Sequence, residues 1–148
     1  MSKQQTVSLE TTAHVRDHCL CLAAQRTART LARRFDEAMR PLDLTSGQFS
    51  LLMSLNRRTP PSVGPVAALL AMDRTTVTAN LKPLERRGLV ETAIDPDDRR
   101  GRLLILTGAG QKLLAAALPI WKRTHAEVDR LLAPADAGAL RAGLRLLT

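Results

Sequence analysis

Three groups of residues in this chain carry side chains suited to chemistry. The stretch Asp95-Pro96-Asp97-Asp98-Arg99-Arg100-Gly101-Arg102 crowds six charges into one turn and runs directly into the apolar Leu103-Leu104-Ile105-Leu106. Guanidinium forks at such a tip suit phosphates and guanine edges. Upstream, Arg74, Thr75, Thr76, Thr78 and Lys82 mix small hydroxyls with cations, a set that hydrogen-bonds to base edges and to the DNA backbone. Near the beginning, His14 and His18 stand four apart and Cys19 and Cys21 two apart. Imidazoles at that helical spacing can share a metal, and an accessible thiol can meet an oxidant. The imidazole pair has no clear carboxylate third ligand, so no metal site and no cofactor are expected. Two cysteines this close are poorly arranged for a structural disulfide.

These groups must be positioned by a small frame. With 148 residues and an apolar share of 45%, the chain suits one domain with a modest core. Aromatic residues make up only 2% of it, so aliphatic, helix-forming residues must build that core. Twenty-two basic against fourteen acidic residues leave a formal charge of +8, which favours a polyanionic partner, nucleic acid before an anionic membrane surface. The N-terminal MSKQQTVSLETTAHVRD is polar, unlike a signal peptide, and no run of about 20 apolar residues offers a membrane span. A cytoplasmic protein is expected. Three His, no Tyr, no glycine-rich phosphate loop and no nucleophile set beside a base argue against an enzyme.

From about Thr12 to Leu42, apolar residues including Val15, Leu20, Leu31, Phe35 and Met39 recur at helical spacing, predicting one long amphipathic helix with Arg26, Arg29 and Arg33 on another face. Those three arginines read as a solvated face and are left out of the site. Thr45 or Ser46 can cap a second helix through Leu55, and Ser62 a short third, Val63 to Leu70. A tight Ala71-Met72 turn leads to a fourth helix from Asp73 to Arg87, stopped by Gly88. Val77, Leu81 and Leu84 form its buried stripe. Two strands, Leu89 to Ile94 and Leu103 to Leu106, make a hairpin around the charged turn. A long helix from Ala109 to Leu132, kinked at Pro119, and a last one from about Pro134 to Leu147 complete a mainly α fold.

A short helix, a tight turn, a second helix with a small polar outer face and a basic hairpin form the order of a winged helix-turn-helix. The second helix must enter a major groove about 12 Å wide, which demands small side chains near its N-terminus. At this point the residues resemble a family, the multiple-antibiotic-resistance-regulator (MarR) type of bacterial transcription factor. Its wing pattern is matched by Asp98, Arg100, Gly101, Leu104, Leu106, Thr107 and Gly110. Its recognition helix and exit are matched by Thr76-Val77-Thr78, Leu81, Leu84-Glu85 and Gly88-Leu89-Val90. Two departures stand out: Pro83 inside the recognition helix, and Thr92 where many members carry a basic residue.

The resemblance implies that residues 1–148 form one regulator, with helices over 12–42 and 109–148 for dimerisation and a DNA-binding winged helix-turn-helix over 45–107. It implies a homodimer on a pseudo-palindromic operator of double-stranded DNA, a repressor released by a small-molecule effector (a phenolic or other aromatic acid) or by an oxidant. The DNA-binding set is Arg74, Thr75, Thr76, Thr78, Lys82, Arg99, Arg100 and Arg102. Asp98 is expected to hold the Arg100 guanidinium, and Gly101 to permit the turn. The threonines have an alternative use in bonding to their own helix. Trp121 is expected in the core or dimer interface, or lining the effector pocket. Two other readings stand beside this one: a constitutive winged-helix protein without an effector, and a thiol redox sensor using Cys19 and Cys21. Against the second, hydroperoxide sensors of the family support the reactive sulfur with tyrosines, which this chain lacks.

Overall fold

The computed structural model describes residues 6–148; residues 1–5, the start of the polar N-terminal stretch, lie outside the described residues. Among the described residues the order is α1 (Leu9–His18), α2 (Leu20–Met39), a 3-10 turn at Arg40–Leu42, α3 (Ser46–Leu55), α4 (Val63–Leu70), α5 (Arg74–Arg86), β1 (Val90–Ile94), β2 (Arg102–Leu106), α6 (Gly108–Leu132) and α7 (Ala137–Arg145).

Local chemistry accounts for most boundaries. Thr45 and Gln48 form a capping box at the start of α3: the Thr45 hydroxyl accepts from Gln48 N–H at 3.1 Å, and the Gln48 side chain accepts from Thr45 N–H at 3.0 Å. The Asp73 carboxylate accepts from Thr76 N–H at 2.7 Å, and the Thr107 hydroxyl from Gly110 N–H at 3.1 Å. Ser62 occupies the cap position of α4 but makes no side-chain capping bond. Helix α5 ends in a Schellman arrangement, with Gly88 at φ +70°, Gly88 N–H on Glu85 O at 2.9 Å and Leu89 N–H on Leu84 O at 3.0 Å. Pro83 and Pro119 are both carried inside helices, in α5 and α6.

The single long N-terminal helix expected from the sequence is two helices. Cys19 leaves helical geometry at φ −77°, ψ 107°, and its sulfur accepts from Leu22 N–H at 3.4 Å as the cap of α2. On the other side of the break, the His18 ring bonds to His14 O at 2.8 Å, engaging a carbonyl of the last turn of α1. A one-residue interruption leaves the hydrophobic period almost unchanged, so the pattern cannot register it.

The core lies where α3, α4 and α5 meet the root of the hairpin and the first half of α6. Met39, Leu44, Leu52, Val66, Val77, Leu84, Val90, Leu104 and Leu114 are all buried in it. The hairpin is antiparallel, pairing Val90 with Leu106, Thr92 with Leu104 and Ile94 with Arg102. Its second strand also meets the segment before α4, through Leu104 N–H on Pro61 O at 2.8 Å. The wing is thereby pinned to the helix-turn-helix rather than hanging from it. At the chain's two ends the apolar residues stay exposed: Leu9, Val15 and Leu20 in α1 and α2, and Leu131, Leu140, Leu144 and Leu147 around α7.

Candidate nucleic-acid interface

The turn between α4 and α5 depends on Ala71, which takes the left-handed conformation at φ +52°. Met72 N–H closes it on Ala67 O at 2.9 Å. Asp73 then anchors the first turn of α5. Its carboxyl is held below the ordinary value of 3.8, first by the Thr76 backbone N–H and next by the Thr76 hydroxyl.

The expected contact residues of α5 are all exposed, with Val77, Leu81 and Leu84 buried behind them. Their side chains are not equivalent. The Thr78 hydroxyl donates to Arg74 O at 2.9 Å, which is the local helix bond weighed against a DNA role. The Arg74 guanidinium lies back over α4: a Cβ built at Gly64 would sit 3.0 Å from its Nη2. Thr75 and Lys82 stand on the outer face of the helix.

The charged loop divides its labour by sign. The Asp95 carboxylate accepts from Asp97 N–H at 2.9 Å, and the Asp98 carboxylate accepts from Arg100 N–H at 3.0 Å. Gly101 N–H reaches Asp98 O at 2.8 Å, and Asp95 N–H reaches Gly101 O at 3.2 Å. The role expected for Asp98 is therefore corrected. It holds the Arg100 backbone in an Asx turn, not the Arg100 guanidinium, because the carboxylate two residues upstream meets the main chain first. Gly101 is needed for closeness rather than for a left-handed φ: a Cβ there would sit 3.3 Å from Asp98 O. None of the ion pairs among the described residues involves Arg99, Arg100 or Arg102, and all three are exposed. Two of the acids build the turn; Arg102 donates to Gly101 O at 3.1 Å, and no carboxylate takes up any of the three guanidiniums.

Three residues support the site, of which only Arg87 is absent from the residues singled out in the sequence. The Arg87 guanidinium, at the end of α5, donates to Asp43 O at 2.6 Å and Leu42 O at 3.3 Å. The Thr107 hydroxyl donates to Gly88 O at 2.7 Å while capping α6. Gly110 packs against the wing root so tightly that a Cβ would fall 2.4 Å from Leu89 O. Thr107 and Gly110 were visible as part of a motif, but their task shows only when Leu89 and α6 are brought together. Elsewhere, Cys19 is half-buried at the α1–α2 joint, Cys21 is exposed and receives a hydrogen bond from Gln25, and the His14 and His18 rings stack at 4.1 Å.

A sequence profile described as MarR family matches residues 42–101. The M. tuberculosis transcriptional regulator MosR, in a crystal structure with DNA, is 33% identical, with a TM-score of 0.80 over 88% of this chain and 93% of MosR. The chain belongs to the MarR family. Among its curated relatives, the transcriptional regulator HosA of Escherichia coli O111:H- is 39% identical over 53% of this chain, and the HTH-type transcriptional repressor NicR of Pseudomonas putida is 33% identical over 70% of it. The matched stretches span 58% of HosA and 60% of NicR, less than two thirds of either. The relatives and the fold are those of DNA-binding MarR-type regulators, not of enzymes. Among the described residues, no helix is long and apolar enough to cross a membrane.

Proposed function

We propose that this chain is a cytoplasmic, homodimeric, sequence-specific DNA-binding repressor acting on a pseudo-palindromic operator. In this reading residues 45–107 bind DNA and residues 12–42 and 109–148 dimerise. The observation that carries it is the wing tip, where the Asp95 and Asp98 carboxylates are engaged by main-chain N–H groups while Arg99, Arg100 and Arg102 are exposed and in no ion pair. Cations left free beside their own acids suit an external polyanion such as the phosphate backbone. The recognition helix presents Thr75, Thr76, Thr78 and Lys82 to the major groove, with Arg74 at its start. The exposed leucines of α1, α2, α6 and α7 are apolar surface that a second copy of the chain would cover. A mobility-shift titration of the gene's own upstream region tests this: a specific shift at moderate salt supports it, and binding no stronger than to scrambled DNA refutes it.

The effector reading rests on a cleft of about 360 Å³ lined by Phe49, Ser50, Met53, Ser54, Leu69, Leu118 and Trp121, between α3, α4 and α6. Its size and apolar, aromatic lining suit a small aromatic ring. The lining holds no cation, so an aromatic acid would keep its carboxylate at the mouth. Trp121 is the chain's one tryptophan, so its fluorescence reports occupancy directly. Quenching by phenolic acids together with operator release supports an effector; neither response across such a panel leaves the constitutive reading.

The thiol reading is favoured by one placement, the Cys19 sulfur capping α2 at the joint of the two N-terminal helices. Transfer of a peroxide oxygen to a thiol there, with water or an alcohol leaving, yields a sulfenic acid and alters that cap. Unchanged peroxide-driven release in both Cys19→Ser and Cys21→Ser proteins would exclude it.

A further inference from the structure

The end of the recognition helix is tied at two adjacent residues to the roots of two different long helices. Arg87 is the C-cap of α5, its N–H on Pro83 O at 3.2 Å and directly before the Schellman turn at Gly88. Its guanidinium crosses to Leu42 O and Asp43 O, at 3.3 and 2.6 Å, the last residue and the cap of the 3-10 turn that follows α2. Asp43 takes the left-handed conformation at φ +51°, at the end of that turn. These are carbonyls at a helical terminus, which carry partial negative charge and need external donors. One residue later, Gly88 O accepts from the Thr107 hydroxyl that caps α6. Recognition-helix orientation is thus referred on one side to α2 and on the other to α6.

Pro83 makes the first tie matter more. It lacks an N–H, so the last turns of α5 hold one fewer internal bond than an uninterrupted helix. The Arg87 fork spans 44 residues of sequence and offers the outer end of α5 a charge-assisted anchor from outside the helix.

We propose that Arg87 is a positioning residue for operator recognition: its two hydrogen bonds to the Leu42 and Asp43 carbonyls set the angle at which α5 is presented relative to α2. It fixes the separation of the two recognition helices without contacting DNA itself. This rests on the dimeric repressor reading above, in which α2 belongs to the dimerisation region.

The test uses the full-length protein and a series of operators whose half-sites are moved apart or together by single base pairs. Wild type prefers one spacing. Arg87→Ala is expected to lose about tenfold on that spacing and much less on its neighbours, flattening the preference. Arg87→Lys, which keeps the charge but not the fork, is expected to fall between them. Thermal denaturation and dimer mass are measured on the same samples, and both variants are expected to stay near wild type. An equal loss at every spacing with a salt slope reduced by about one would make Arg87 a phosphate contact and overturn the proposal. A loss that tracks a lowered melting temperature in both variants, or an unchanged spacing preference, would also overturn it. A wild type that shows no spacing preference fails the dimer reading itself, which is a separate and recognisable result.

Discussion

Gly110→Ala is the substitution whose consequence is most tightly dictated by the geometry. The new Cβ would lie 2.4 Å from the Leu89 carbonyl oxygen and 2.5 Å from Leu106 Cδ1. The leucine methyl can rotate away, but the carbonyl belongs to the main chain entering β1 and accepts from Thr107 N–H at 3.1 Å. Relief therefore requires α6 to lift off the wing root. Overpacking of this kind costs about 1–3 kcal/mol, which for a chain of this size lowers the melting temperature by roughly 3–10 °C. The matched control is Gly108→Ala, two residues earlier in the same helix, where nothing lies within 4 Å. There the added methyl should leave stability unchanged or raise it by up to about 1 kcal/mol, since glycine is a poor helix residue. Differential scanning calorimetry of the three proteins reads the outcome, and operator titration of the folded samples shows whether the lifted wing binds less tightly. Equal melting temperatures for Gly110→Ala and wild type would refute the close-packing argument.

Asp98→Ala should weaken operator binding severalfold, whereas Asp98→Asn, which keeps an acceptor oxygen for Arg100 N–H, should bind within about twofold of wild type; if Asn behaves like Ala, the charge rather than the turn is what matters. Arg99→Ala and Arg102→Ala should each weaken operator binding with little change in melting temperature and reduce the salt slope by about one; operator affinities equal to wild type would remove the wing from the interface. The depressed Asp73 pKa gives stability that is present above the unfolded value near 3.8 and lost as pH falls through the lower folded value. The melting-temperature gap between wild type and Asp73→Ala should accordingly be constant at neutral pH and close below pH 3.8; a gap that persists into strong acid would show that the carboxylate form is not what caps α5.

Much of the helix-turn-helix was legible because its determinants are local. A Thr or Asp at a cap bonds an N–H three residues ahead, and Gly88 announces a left-handed stop, so α3, α5 and the wing fell where residue types put them. The α1–α2 break was not legible, since it turns on a cysteine acting as a cap. The Asp98 error had the same root: charge pairing was expected where a nearby main-chain N–H was the better placed partner. Arg87 reads as one more solvated charge until the chain folds and brings Leu42 and Asp43 beside it. The apolar period of the terminal helices reads as surface for a dimer, and in one chain the exposed leucines at both ends have nothing to cover them.

Hydroxyl-radical footprinting of the upstream operator tests the central claim most directly. Two wings and two recognition helices in a symmetric dimer should protect two backbone tracts on one face of the duplex, centred about one helical turn or a multiple apart, with flanking minor-groove protection that disappears in an Arg99→Ala, Arg102→Ala protein. A single unpaired tract, or protection that is the same on scrambled DNA, would contradict the account.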